Sequence, residues 1–495
     1  MFSRNVNINN IYIGIIGYLY LPIIIFLVGW TSIWVSITVL LFTIVAILFG
    51  MRKIYNENKE KPSCRLDELL VVFGVFFVFF VMVGHSDLFA QDFDWHKHHA
   101  IFNDLKNYDW PVIYENGSLL TYYLGQYIVP SLLGKLFNSS IVMIWSIPVW
   151  NALGLTLVYA VLISLTGAKS VKKKICLLLF MLFWGGCTFL GTITYHLIHS
   201  GTIKLLPDSF KWIDLQNIKI HFASNFDALY GAFQHVIVPW IVTAFFIGNL
   251  KHIESYVIIA LPLMFNATFA FVYFIPILLF FVFRNMLKSN KKSFFKDVFG
   301  IGNLFMIPMA VVLCIYFAGN VFSNKPENVG FEIFNIEEHI LFYIIFIFTE
   351  FLLYAVCILK RNVKNLLFYV AIIELIAIPF FKLGLYNDLC SRGSIPARFI
   401  LMFLIIEYYF SKPEKDWRLS VLTILLSISL FITGGQIAYN FMRTAQNWTD
   451  KSFLADKYKT LENFYGNPDI RIDEAYNYFT PDYRESWFYK ISKSK

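Results

Sequence analysis

Apolar stretches of span length recur along most of the chain, separated by short loops, and this repetition constrains the fold more than any other feature. They run near residues 11–29, 32–50, 69–84, 141–165, 175–195, 236–250, 298–318, 339–359, 366–383, 397–410 and 419–436. A bilayer core takes roughly 20 residues of helix, whereas an outer-membrane barrel strand alternates polar and apolar positions over roughly 10. The expected fold is therefore all-α, a polytopic bundle of about eleven transmembrane helices. Composition excludes a soluble enzyme or a disordered chain. Of the 495 residues 58% are hydrophobic and 19% aromatic, while 15% are charged, against about 25% in soluble domains.

Net charge is +8 and the isoelectric point is near 8.9, which in a soluble chain would suggest nucleic acid. Here the cations cluster between apolar runs. Five loops hold them: Arg52/Lys53/Lys59/Lys61/Arg65, Lys169/Lys172/Lys173/Lys174, Arg284/Lys288/Lys291/Lys292/Lys296, Lys360/Arg361/Lys364 and Lys412/Lys415/Arg418. One threading puts all five on the same side, and the positive-inside rule makes that side the cytoplasm. The N-terminus is then expected in the cytoplasm and the C-terminus in the periplasm of a bacterial inner membrane. Residues 255–283 lie between Lys251 and Arg284, both on the cytoplasmic side, so this stretch must enter and leave on one side. Pro262, Asn266 and Pro276 point to two short helices broken near mid-membrane, a re-entrant hairpin. The six cysteines contain no C-x-x-C pair, so no disulfide framework or thiolate metal site is expected. The first apolar run is of full span length and a second follows directly, so neither reads as a cleavable signal.

What remains on the outer side is a loop at 85–140, a second at 196–235, short ones at 319–338 and 384–396, and a polar tail at 437–495 that reads as a small element packed on the membrane domain (1–436). In the first loop Asp92, Asp94, His96 and His99 crowd the membrane surface. If this segment is helical, Asp92, His96 and His99 share a face by i+4 and i+3 spacing. An acid there suits a general base or a metal ligand, and solvated interfacial side chains are the alternative. Residues 119–138 are apolar but interrupted by Gly, Gln, Pro and Lys, and are expected as an amphipathic surface helix.

The run Asp109-Trp110-Pro111, Asn116-Gly117, Tyr122-Tyr123-Leu124, Pro130 and Gly134-Lys135-Leu136-Phe137, following an acid just after a span, resembles the first outer loop of the GT-C superfamily of polytopic glycosyltransferases. That resemblance implies a GT-C-like bundle and a sugar donor linked to polyprenyl phosphate. It implies an acid, Asp94 or its neighbour Asp92, that activates the acceptor, with His96 and His99 beside it. The chain departs from the adjacent Asp-Glu of many relatives by reading Asp92-Phe93-Asp94. Gln234 and His235 match a run that lines the family's substrate cavity, with interfacial anchoring as the alternative.

Near 384–398 three cations stand on the outer side: Arg392 and Arg398, with Lys382 before them and Asp388 between. Cations there need an anionic partner, and the planar guanidinium suits phosphate. A lipid-headgroup anchor or a salt bridge to Asp388 is the alternative. The resemblance implies that this loop contacts the lipid phosphate.

The expected activity is therefore inverting hexosyl transfer from a polyprenyl-phosphate sugar to a glycan or lipid-linked acceptor, as in O-antigen or lipopolysaccharide modification. It would need no cofactor, a divalent cation being optional, and its partners would be membrane lipids and those substrates, with no nucleic acid. The rivals are a lipid-linked-sugar flippase, favoured by the broken hairpin and by Glu350 and Glu374 inside apolar spans, and a polysaccharide polymerase.

Overall fold

The computed structural model describes residues 5–493 except 60–61, 203–219, 322–330, 334–339, 384–386, 412–415, 450, 452–453, 455–459 and 466–476. The protein is an all-helical polytopic membrane protein. Among the described residues eight helices are each long and apolar enough to cross a bilayer, and three bent pairs bring the number to eleven. The unbent spans are Ile8–Trp30, Ile33–Glu57, Leu66–His85, Ser140–Thr166, Thr268–Lys288, Ile340–Asn362, Asp388–Phe410 and Trp417–Gln446. Their outer faces stay apolar: Trp34, Leu48, Val71 and Phe431 are all exposed, as lipid-facing side chains must be.

Contacts gather the basic loops at one end. Lys53 pairs with Asp297 (2.8 Å) and Glu254 (3.5 Å), Lys251 with Glu57, and Lys174 with Glu68. Lys173 lies over the ring of Phe410 at 5.1 Å, and Asp416, paired to Arg418, sits in the field of Lys360. Lys412 and Lys415 lie outside the described residues.

The bent pairs are breaks that hydropathy alone does not reveal. The span Val171–Phe183 turns by 47° into Thr188–Ile198. Backbone freed at this break must find partners inside the bundle. The Gly185 N–H donates to Ser429 Oγ (2.9 Å), its carbonyl accepts the Tyr354 hydroxyl (3.1 Å), and the Cys187 N–H donates to the Thr349 carbonyl (3.0 Å). A sharper bend, 116°, separates Asn225–Gly231 from Phe233–Gly248. A third of 60° splits Lys291–Leu304 from Ile307–Val321.

The hairpin at 255–283 is unequal. Tyr256–Asn266 has 11 residues, the chain breaks at Ala267, and Thr268–Lys288 has 21, enough to cross by itself. Pro276 does not shorten the second arm. Asn285 donates to the Leu250 carbonyl (3.1 Å), so both arms start and finish at the basic end while the tip reaches the opposite one.

The expectation of two short arms broken near mid-membrane is thus corrected, and three more are corrected as well. The helix in residues 119–138, Gly125–Leu136, is not laid along a surface. Its first turn is buried, Gln126 takes the hydroxyl of Tyr18 from the middle of the first span (3.1 Å), and a Cβ on Gly125 would stand 1.9 Å from Asn266 Oδ1. It is a wedge, and its glycine permits that approach. The last span runs beyond 436 to Gln446, because its polar end has partners: Gln436 donates to Asp227 (2.7 Å) and Thr444 accepts from the Ala90 N–H (2.9 Å). The third concerns Asp92, His96 and His99 and is given below.

The described parts of the tail lie at the end opposite the basic loops. Phe479–Thr480 pairs antiparallel with Leu119–Leu120, the Leu461 N–H donates to Asp104 Oδ2 (3.1 Å), and the Ser32 N–H donates to the Ile491 carbonyl (2.9 Å).

Candidate functional site

The end opposite the basic loops is organised around the 116° bend. A helix that stops at Gly231 leaves its last carbonyls without intrahelical partners. Three ring N–H groups supply them: His85 Nε2 to Leu229 (3.1 Å), Trp95 Nε1 to Tyr230 (3.3 Å) and His98 Nε2 to Gly231 (3.0 Å). Because each histidine donates from Nε2, its Nδ1 accepts, from Asn151 (3.0 Å) and from the Tyr127 hydroxyl (2.8 Å) respectively. His98 is thereby fixed as one neutral tautomer, and burial pushes its pKa down to about 3. These residues form a latch that aims the following turn, Phe233–His235, into the bundle.

The helix of the first loop is Trp95–Asn107, so both acids precede it. Asp94 is its N-cap residue, and Asp92 Oδ1 accepts the Asp94 N–H (3.2 Å), closing the turn into the helix. The carboxyl of Asp92 lies against Gly231, 3.3 Å from where a Cβ would stand, and acts on Tyr230. Asp94 faces the other way. Its Oδ1 takes Lys97 Nζ (2.7 Å), and it shares a field with Arg392. Burial opposes ionisation of Asp94, yet the surrounding positive field, that of Lys97 foremost, outweighs it and holds the carboxyl below the ordinary carboxylate range. The Asp94 side chain keeps 29% of its surface exposed, so the carboxylate is reachable, whereas Lys97 keeps 9%.

Asp92, His96 and His99 do not converge. Asp92 is outside the helix, His96 stacks on Phe464 of the tail (6.3 Å), and His99 Nε2 turns to Gln91 (3.3 Å) and Asp87 (3.4 Å). Spacing put them on one face only on the assumption that the helix began before Asp92.

The short helix Asp388–Gly393 brings in Arg392, whose Nη1 contacts Asp388 (3.2 Å) and donates to the Tyr123 hydroxyl (3.3 Å). Tyr123 stands edge-on to His235 at 4.5 Å between centroids, and Phe269 from the hairpin tip closes that side. His235 and Gln234 are fully buried, and neither the two ring nitrogens nor the amide atoms have a hydrogen-bond partner among the described residues. Asp94, Lys97, Tyr123, His235, Asp388 and Arg392 therefore make one cluster, about three hundred positions apart in the chain at its extremes.

The other two cations stand apart from it. Lys382 is half-buried in a two-stranded ribbon, opposite Glu332 in register, beside the Arg392 helix. Arg398 is 6% exposed and lies between the rings of Trp184 (5.8 Å) and Phe222 (5.7 Å). His221 sits in the fields of both Arg392 and Arg398, and burial, with those charges, pushes its pKa down to about 3. His196 is half-buried against Tyr195, and the side chain of His199 lies outside the described residues. Among the described residues no group of three or more His, Cys, Asp or Glu is placed to hold a metal ion.

Lys97, His98 and Phe269 were not singled out from the sequence, and Tyr123 stood there only within the Tyr122-Tyr123-Leu124 run, with no role at the site. Lys97 had a legible signal, its i+3 spacing from Asp94. The others depend on tertiary contacts. No family model matches the chain, and no curated protein or solved structure matches it either.

Proposed function

We propose that the protein is a membrane glycosyltransferase that moves a sugar from a polyprenyl-phosphate donor to a glycan or lipid-linked acceptor, on the end away from the five basic loops. By the positive-inside rule that end faces the periplasm of a bacterial inner membrane. The observation that carries the reading is a reachable carboxylate, Asp94, sharing one field with a cation, Arg392, that stands beside buried polar groups with no hydrogen-bond partner among the described residues. In the proposed step the acceptor hydroxyl gives its proton to Asp94 and its oxygen attacks the anomeric carbon. The bond from that carbon to the phosphate oxygen breaks, and polyprenyl phosphate leaves with the electron pair, so the anomeric centre inverts.

The local charges suit this order of events. Paired to Lys97, Asp94 is a poor base. A phosphate arriving at Arg392 draws on the same cations, relaxes their hold on Asp94 and strengthens it when the donor is bound. Of the two loop acids, Asp94 is the proposed base and Asp92 the residue that shapes its turn. Gln234 and His235 offer unsatisfied donors and acceptors of the kind sugar hydroxyls pair with.

A carrier reading draws on buried acids in the spans: Glu350 Oε2 and both oxygens of Glu374 lack hydrogen-bond partners among the described residues. One assay separates the two. Purified protein in nanodiscs, given a polyprenyl-phosphate sugar and candidate acceptors, should release polyprenyl phosphate, and Asp94→Asn should abolish release while Asp92→Asn spares most of it. Transbilayer movement of an intact donor without release would sink the transferase reading.

A further inference from the structure

Beneath the Asp94 cluster lies a small cavity that the transfer step does not use. It has room for about one water-sized group and is walled by Trp184, Trp240, Phe399, Met402, Asn225 and Arg398, among others. It opens where two bends meet, the Phe183–Thr188 break and the Asn225 helix, against the span that carries Arg392. Two side-chain atoms in its wall are buried without a hydrogen-bond partner among the described residues, and both are donors: Arg398 Nη2 and Trp184 Nε1. The amide N–H groups of Asn225 are already taken, by the carbonyls of Phe180 (3.0 Å) and Met181 (3.1 Å) and by the Met402 sulfur (3.3 Å).

A guanidinium at this depth needs negative charge close by. The acid whose charge acts on Arg398 most is Glu350. That carboxylate makes no ion pair with Arg398 within 4.0 Å: Oε1 takes the Thr188 hydroxyl (2.7 Å), and Oε2 is buried against Gly186 with no hydrogen-bond partner among the described residues. A water could accept from both orphaned donors but would bring two protons of its own to a mainly apolar, aromatic wall. A monovalent halide accepts both bonds, carries the missing charge and adds no donor.

We infer that Arg398 and Trp184 hold one small monovalent anion of the chloride class, which acts as the buried counter-ion fastening the Asp388–Phe410 span to the two bent spans. This inference is independent of the transferase reading, since it concerns stability and a separate set of side chains.

The test is the thermal unfolding midpoint of the purified protein in sodium chloride against sodium gluconate at constant ionic strength. Chloride should raise the midpoint saturably. Trp184→Phe keeps the ring and deletes one donor to an anion, so it should weaken the half-saturating chloride concentration at least tenfold. Glu350→Gln removes a competing negative charge and should tighten it severalfold. A midpoint indifferent to chloride would overturn the proposal and leave Glu350 as the counter-ion. So would a Trp184→Phe response equal to that of the native protein, or a chloride effect lost in Glu350→Gln.

Discussion

Replacing His98 by Phe tests the latch that sets the site. The ring is buried and makes two hydrogen bonds, Nε2–H to the Gly231 carbonyl at 3.0 Å and Nδ1 from the Tyr127 hydroxyl at 2.8 Å. Phenylalanine preserves the aromatic contacts with Trp95 and Phe233 but strands both partners in a dry interior. An orphaned buried polar group costs about 1–3 kcal/mol, so the variant should lose roughly 2–6 kcal/mol. The double variant His98→Phe/Tyr127→Phe removes one of those orphans along with its hydroxyl. It should be more stable than His98→Phe alone by about 1–3 kcal/mol, because losing both partners costs less than losing one. Unfolding titrations of the three purified proteins in one detergent would read this directly. Because the latch aims Gln234 and His235, turnover should fall with stability in the single variant. A single variant as stable as the native protein, or a double variant worse than the single, would refute the reasoning.

Other perturbations have equally definite outcomes. Asp104 is fully buried under the tail, accepting from the Tyr114 hydroxyl (2.5 Å) and the Leu461 N–H (3.1 Å), and burial pushes its pKa up to about 7. A raised folded-state pKa means that its contribution is complete below pH ~4 and is lost as pH climbs to about 7. Hydrogen exchange at Leu461–Tyr465 should accordingly speed up over that range beyond its intrinsic pH dependence, and Asp104→Asn should abolish the excess. Lys97→Met removes the nearest cation from Asp94 and leaves burial to act, so the acid limb of the turnover profile should move to higher pH; an unmoved limb would mean that Asp94 does not titrate in that limb. Gly125→Ala would put a methyl group 1.9 Å from Asn266 Oδ1, so it should destabilise the wedge and the hairpin tip by about 1–3 kcal/mol, read as a lowered unfolding midpoint.

The spans were largely legible because a bilayer demands apolar length, and apolar length is a property of the sequence alone. The bends were not. Trp184-Gly185-Gly186-Cys187 lies within an apolar run, and what makes a break tolerable there is Ser429, Tyr354 and Thr349, which hydropathy cannot associate with it. The same holds at the candidate site. Asp94 and Arg392 drew attention as charges out of place near a membrane, and the fold brings them into one field. His96 and His99 drew attention for the same reason, whereas His98 between them did not, and it is held neutral as a hydrogen-bonding strut, a role visible only once the Gly231 carbonyl is in place. Asp92 and Asp94, two positions apart, part company because the helix starts between them and residue 96, which turns one carboxyl toward Gly231 and the other toward Lys97. Arg398 shares the sequence signature of Arg392, yet lies between two aromatic rings, because it stands beyond the turn at Ser394 that ends the short helix carrying Arg392.

A double-mutant cycle on turnover, built from Asp94→Asn, Arg392→Gln and the pair, asks whether the two residues serve one pocket. If they do, each single variant loses at least tenfold, and the double variant exceeds the product of the two losses or falls short of it by about threefold or more. Losses that simply multiply would mean the two residues act independently and would contradict the account.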